Sequence, residues 1–179
     1  AEIGAALRQA LERSDGVVMT GGLGPTPDDL TRKADAAVLR RPLQLHEKVL
    51  ASIRARMKKL GRKTPASVET QALLPRGAEA WPNSLGTAPG ILIVHRDKPV
   101  ILLPGVPGEM EGLAREHVVP YLKQRAGHAV ESFTLRTYGA FETMIQEHIG
   151  PLPKNWPGAA LAYLPSYFGV DLRVTVAGS

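Results

Sequence analysis

Two adjacent carboxylates, Asp28 and Asp29, stand just beyond the run Gly21-Gly22-Leu23-Gly24, and this combination could bind and cleave a phosphate-containing molecule. Glycines between an apolar run and a helix start let backbone N–H groups approach an anion closely. Two carboxylates in a first helical turn already compensate the helix dipole, so they repel a bare phosphate placed there. A divalent cation such as Mg, Mn or Co removes that conflict, because such ions bind one or two carboxylates together with phosphate oxygens and water. The ion could also polarise a phosphoryl group and generate hydroxide. The spacing is neither the GxGxxG of a dinucleotide fold nor a P-loop, which needs a lysine after its last glycine. The plainer alternative is a tight turn followed by acids that only stabilise a helix.

Two further loops carry polar groups. Asn83-Ser84-Leu85-Gly86-Thr87-Ala88-Pro89-Gly90 offers Asn83 and Thr87 as neutral donors and acceptors for a ribose or a base. Pro104-Gly105-Val106-Pro107-Gly108 leads into Glu109, a third carboxylate near a helix start. In an open α/β sheet, loops at strand ends converge on one crevice. Gly105 to Gly108 has the GxxG form of an RNA-binding loop, but its inner residues are uncharged and Glu109 and Glu111 follow, where an RNA backbone would lie. The histidines are scattered singly and no GxSxG occurs, so neither a histidine metal motif nor a hydrolase nucleophile elbow is supported.

The elements that must position these loops are legible as patterns. Ile3, Leu7 and Leu11 predict an amphipathic helix ending near Ser14, and Gly16 to Thr20 a buried strand. Thr26 is expected to cap a helix with Pro27 in its first position and Asp28 and Asp29 in its first turn, running to about Leu39. Leu45, Val49, Ile53, Met57 and Leu60 predict a second helix from Leu45 to Leu60, stopped by Gly61. Thr64-Pro65 reads as another helix entry, ended by Pro75. Ile91 to His95 and Val100 to Leu103 form a hairpin, and a helix follows from Glu109 to about Gln124, kinked or cut short by Pro120. Gln124 to His128 is a linker. Beyond it come a strand over Val130 to Tyr138, a helix over Phe141 to Ile149, and strands over Ala159 to Leu164 and Val170 to Ala177. The division is therefore a domain over 1–125 and a small β-α-β-β module over 126–179.

At 179 residues and 44% hydrophobic, the chain is a globular protein with room for a buried core. It has no apolar run of about 20 residues to cross a membrane and no signal-like start, and its lack of cysteine suits a reducing cytoplasm. The net charge of +5 gathers in part at Arg54, Arg56, Lys58, Lys59, Arg62 and Lys63. Cations at a helix C-terminus are favourable by themselves, so nucleic acid is the disfavoured reading of that cluster.

Thr20 to Thr31, Asn83 to Gly90 and Leu103 to Met110 together resemble the three signature loops of the competence/damage-inducible protein CinA family, in order and over nearly the whole chain. The broader relatives are molybdopterin-binding domains of MogA and MoaB type, which typically carry Thr at the place of Leu23 and Arg at the place of Asp28. The resemblance implies a three-layer αβα domain of molybdopterin-binding type with a mostly parallel sheet, followed by a small KH-like module. It also implies a divalent-metal-dependent pyrophosphatase that splits ADP-ribose, or a similar dinucleotide, into AMP and ribose 5-phosphate. Asp29, with Asp28 beside it, is then the catalytic position, and Asp29 and Glu109 are the metal ligands. Gly21, Gly22, Gly24, Thr26 and Thr31 hold phosphate, Asn83, Gly86, Thr87 and Gly90 hold the nucleoside, and Gly105, Val106 and Glu109 close the far side. A homo-oligomer fits the same resemblance. The family pattern also has a first strand with Gly-Asp-Glu and a C-terminal amidohydrolase domain, absent from these 179 residues, so part of the catalytic inventory is expected outside them. The alternatives are a molybdopterin- or nucleotide-binding module without hydrolysis, against which Asp28 argues by its sign, and a competence-related nucleic-acid contact.

Overall fold

The computed structural model describes residues 2–127, 130–151, 156 and 158–177. It falls into two compact units, Ala1–Tyr121 and Leu122–Ser179, a boundary four residues before the one expected from sequence.

In the first unit, α1 (Glu2–Arg13) buries Leu7 and crosses close to the next helix at Gly4, where an added Cβ would lie 2.9 Å from Val38. β1 (Val17–Thr20) leads to the first glycine loop, and α2 (Thr31–Val38) follows. This helix starts later than expected, with Leu30 at its N-cap and no side-chain cap. Asp28 and Asp29 therefore precede the helix instead of forming its first turn. The reason is a closed turn ahead of it: Asp29 N donates to the Thr26 carbonyl at 3.1 Å, and the Thr26 hydroxyl donates to the Asp29 carboxylate, so Thr26 is no cap.

β2 (Leu43–Leu45) comes next and takes Leu45 out of the helix predicted for it, pairing it with Leu73. α3 (Glu47–Lys59) starts instead on His46, whose Nδ1 accepts from Val49 N at 3.4 Å. Its end is a Schellman closure: Gly61, at φ +69°, donates to Lys58 O, and Arg62 N donates to Met57 O, both at 2.9 Å. The helix entered at Thr64-Pro65 is a single turn, α4 (Ala66–Glu69), continued by a 3₁₀ turn over Thr70–Ala72. The short strands β3 (Leu73–Pro75) and β4 (Glu79–Trp81) follow, so Pro75 lies in a strand.

β5 (Gly90–His95) and β6 (Lys98–Leu103) form the expected hairpin, closed by Arg96 and Asp97 at φ 51° and 63°, the primed turn that matches strand twist. The sheet order is β1-β6-β5-β4, with β1 and β6 parallel and the other two pairings antiparallel. The sheet is thus mixed, not mostly parallel, because a two-residue turn can only return the chain antiparallel. Alternation along β5 and β6 buries both faces. Ile91, Ile93, Val100 and Leu102 pack with Leu7 and Ile53 of α1 and α3, while Leu92, Ile101 and Leu103 pack with Trp81 and Leu113. Leu113 lies on α5 (Pro107–Leu113), so helices cover both faces and the unit has three layers, αβα.

After α5 the chain makes a π turn over Ala114–Val118 and continues as α6 (Val119–Arg125). Pro120 does not end the helix, which continues through it to Arg125 directly after the π turn. A proline in a regular α-helix costs about 3 kcal/mol through a lost bond and a carbonyl clash, and the wider π turn just before it relieves both.

The second unit contains β7 (Val130–Arg136), α7 (Glu142–Ile149), β8 (Ala159–Pro165) and β9 (Val170–Ala177) in an antiparallel sheet ordered β7-β9-β8. This is the β-α-β-β order read from sequence. Arg136 grips Asp171 through two hydrogen bonds of 3.0 and 3.1 Å across β7 and β9. Of the linker predicted over 124–128, Arg125 is still helical and His128 lies outside the described residues. No helix among the described residues is long and apolar enough to cross a membrane.

Candidate functional site

The pairing register brings the three loops together. Thr20 of β1 lies beside Leu103 of β6, so the first and third loops leave the sheet side by side. β5 runs antiparallel to β6, with Ile91 opposite Leu102, so the Asn83–Gly90 loop enters the sheet at the same edge. They enclose a cleft of about 560 Å³ lined by Gly22, Leu23, Gly24, Asp29, Gln71, Thr87, Gly105, Val106 and Glu109, with flanking prolines.

Glycine is required where the backbones meet. Gly21 and Gly22 have φ of +91° and +68°, in the left-handed region that side chains avoid. A Cβ on Gly22 would also run into the Thr31 hydroxyl, one on Gly24 into the Asp29 carboxylate, and one on Gly86 into the Glu109 carboxylate. Gly21 N donates to Leu103 O at 2.9 Å, and a Cβ on Gly105 would come within 3.2 Å of Gly21 Cα.

Asp29 is fixed from several sides. Its Oδ2 accepts from Thr26 N at 2.8 Å and from Thr26 Oγ1 at 2.5 Å. Burial tends to raise its pKa, but the Thr26 side chain and backbone, the Gly24 backbone and the Arg32 charge together outweigh that and hold it below the usual carboxylate range. Arg32 is itself buried, which lowers its pKa, while Asp29 opposes the shift. Across the cleft, Glu109 Oε2 accepts from Asn83 Nδ2 at 2.7 Å. Asn83 spends the rest of its amide on its own loop, donating to Ala88 O at 2.8 Å and accepting from Leu85 N and Gly86 N at 3.0 and 2.9 Å.

Of the residues singled out from sequence, the cleft gathers Gly22, Gly24, Asp29, Thr87, Gly105, Val106 and Glu109. Asn83 and Gly86 sit directly behind Glu109. Thr26 acts on Asp29, Thr31 lies buried beneath Gly22, and Gly90 packs against Trp81 and Leu113. Asp28 is exposed in the turn and does not line the cleft. Sequence reading missed Gln71 and Arg32. Both are buried and both donate to Leu23 O, Gln71 Nε2 at 3.3 Å and Arg32 Nη1 at 3.2 Å, so they hold the centre of the glycine loop. No local signal marks them, because a polar side chain on a helix ordinarily faces water.

A three-layer αβα unit with this loop-built cleft is the architecture of a molybdopterin-binding-type domain, and residues 1–124 match the family model described as "Probable molybdopterin binding domain". A CinA-like protein from Gemmatimonas aurantiaca is 39% identical over 97% of this chain and 42% of its own length. Another from Chlorobium phaeobacteroides is 38% identical over 99% and 43%. The crystal structure of CinA from Thermoplasma acidophilum is 43% identical, with a TM-score of 0.59 over 66% of this chain and 69% of that one. The chain belongs to the CinA family. It spans about two-fifths of the length of the curated relatives it matches.

Proposed function

We propose that the cleft hydrolyses the pyrophosphate bond of a nucleotide such as ADP-ribose, giving AMP and ribose 5-phosphate, with a divalent metal ion as cofactor. The observation that carries this reading is the placement of two carboxylates, Asp29 and Glu109, in the wall of one cleft beside glycine backbone that an anion can approach. Among the described residues no three Asp, Glu or His side chains cluster as a ready-made metal centre. Two hard carboxylates plus phosphate and water oxygens are what a Mg-type ion takes, so this donor set fits.

In this reading Asp29 and Glu109 hold the ion, which supplies charge neutralisation for the phosphoryl oxygens. Asp29 suits that task better than proton abstraction, because a carboxylate whose pKa is lowered is a weaker base. Thr26 and Arg32 keep it charged and oriented, and the Asn83 amide orients Glu109. The Gly22 to Gly24 backbone binds the phosphate. The oxygen of water adds to one phosphorus, the bridging P–O bond breaks, and a proton is released with the two phosphate monoesters.

A second reading, binding of a molybdopterin without hydrolysis, is favoured by the description of the matching family model. A panel of dinucleotide pyrophosphates against Mg²⁺, Mn²⁺ and Co²⁺, with AMP release as readout, separates the two. Metal-dependent release supports hydrolysis. No release with any pair, together with tight molybdopterin binding by calorimetry, favours the second reading.

A further inference from the structure

Behind the Asn83–Gly90 loop, on the side of α3, a second pocket of about 220 Å³ adjoins the glycine cleft, and Thr87 lines both. Its floor is apolar, with Val49 and Ile53 from α3, Trp81 from β4, and Pro82 and Pro89 from the loop. Its polar lining includes His46, Lys48, Ser52 and Arg56, and among the described residues no carboxylate. Arg56 donates to Ser84 O at 2.8 Å and also to Leu85 O, so the loop wall is tied to the helix wall. His46 Nδ1 accepts the Val49 N–H, which places the ring proton of neutral imidazole on Nε2, a donor.

These features narrow the ligand. A sugar would leave hydroxyls on an apolar floor without partners, which is costly. A positive rim repels a cation and attracts an anionic substituent. A single flat ring system suits the volume, and the donors meet ring nitrogens or carbonyl oxygens. We propose that this pocket takes the nucleobase of a nucleotide whose phosphates lie in the glycine cleft, with His46 and Ser52 reading the ring edge. The proposal rests on the pyrophosphate reading for the position of the phosphates. It gives the base to the α3 side of the loop and leaves Asn83, whose amide is already spent, with a structural task.

The test is calorimetry of AMP and of ribose 5-phosphate with the full chain in Mg²⁺, since neither product is turned over. The wild type is expected to bind AMP at least tenfold more tightly than ribose 5-phosphate. Ser52 is exposed on α3, so Ser52→Phe fills the pocket without entering the core, and Ser52→Leu fills it less. Ser52→Phe should bring AMP to the level of ribose 5-phosphate and leave ribose 5-phosphate unchanged, with Ser52→Leu between. Equal binding of the two ligands by the wild type, or AMP binding indifferent to both variants, overturns the proposal. Weakening of both ligands together by the variants also overturns it. A Ser52-dependent preference for AMP in a protein that releases no AMP from any dinucleotide keeps the pocket and removes only hydrolysis.

Discussion

Thr26 Oγ1 lies 2.5 Å from Asp29 Oδ2, and the Thr26 backbone N reaches the same oxygen at 2.8 Å. One residue thus supplies two donors to the carboxylate that the proposed chemistry depends on. Thr26→Val keeps the backbone donor and removes the hydroxyl. The loss should cost about 1 kcal/mol, as for one hydrogen bond to an exposed charged group. Asp29 has a depressed pKa, so its contribution to stability is present above the ordinary carboxylate range and is lost as pH falls through the folded value. Thr26→Val should therefore move that acid-side loss to higher pH, measured by urea denaturation between neutral and acid pH. An unchanged acid limb would show that the hydroxyl does not hold Asp29 ionised.

Gly21 and Gly22 offer a paired comparison. Both have positive φ, but a Cβ on Gly21 meets nothing within 4 Å, whereas one on Gly22 collides with Thr31. Gly21→Ala should cost only the left-handed strain, about 1 kcal/mol. Gly22→Ala should cost clearly more and displace the loop from α2. Thermal denaturation of the two variants side by side checks the ranking.

Asp35 is wholly buried on α2, neither carboxylate oxygen has a hydrogen-bond partner among the described residues, and desolvation pushes its pKa from 3.8 up to about 7. The folded state then holds a proton that the unfolded state releases, so stability should fall as pH rises from about 4 to about 7. The full change is on the order of 4 kcal/mol. Asp35→Asn should abolish this slope and be the more stable protein at pH 8, measured by urea denaturation at several pH values. A wild-type slope of the same size in Asp35→Asn would assign it to another group.

Much of this arrangement is legible in the amino-acid order, and the failures have physical causes. The glycine and proline clusters after Thr20 and Leu103 and before Ile91 announce loops, and the Ile91 to Leu103 hairpin follows from two β-branched runs around a short turn. Thr26-Pro27-Asp28-Asp29 misleads because the same residues that cap a helix also close a turn, and only the direction of the Thr26 hydroxyl distinguishes them. The strands at Leu43, Leu73 and Glu79 are three residues each, too short to display a period of two. Arg32, Asp35 and Gln71 are buried polar residues on helical turns, and their burial is decided by what packs over them. Glu109 and Asn83 were each visible as polar groups, but the bond between them depends on two loops meeting in space.

AMP release from ADP-ribose by the Asp29→Ala variant in saturating Mg²⁺ or Mn²⁺, beside the wild type and with circular dichroism of both, tests the proposed hydrolysis at its key residue. Asp29→Ala should lose at least a hundredfold in kcat while retaining the folded spectrum. Turnover at the wild-type rate by folded Asp29→Ala would contradict the proposal.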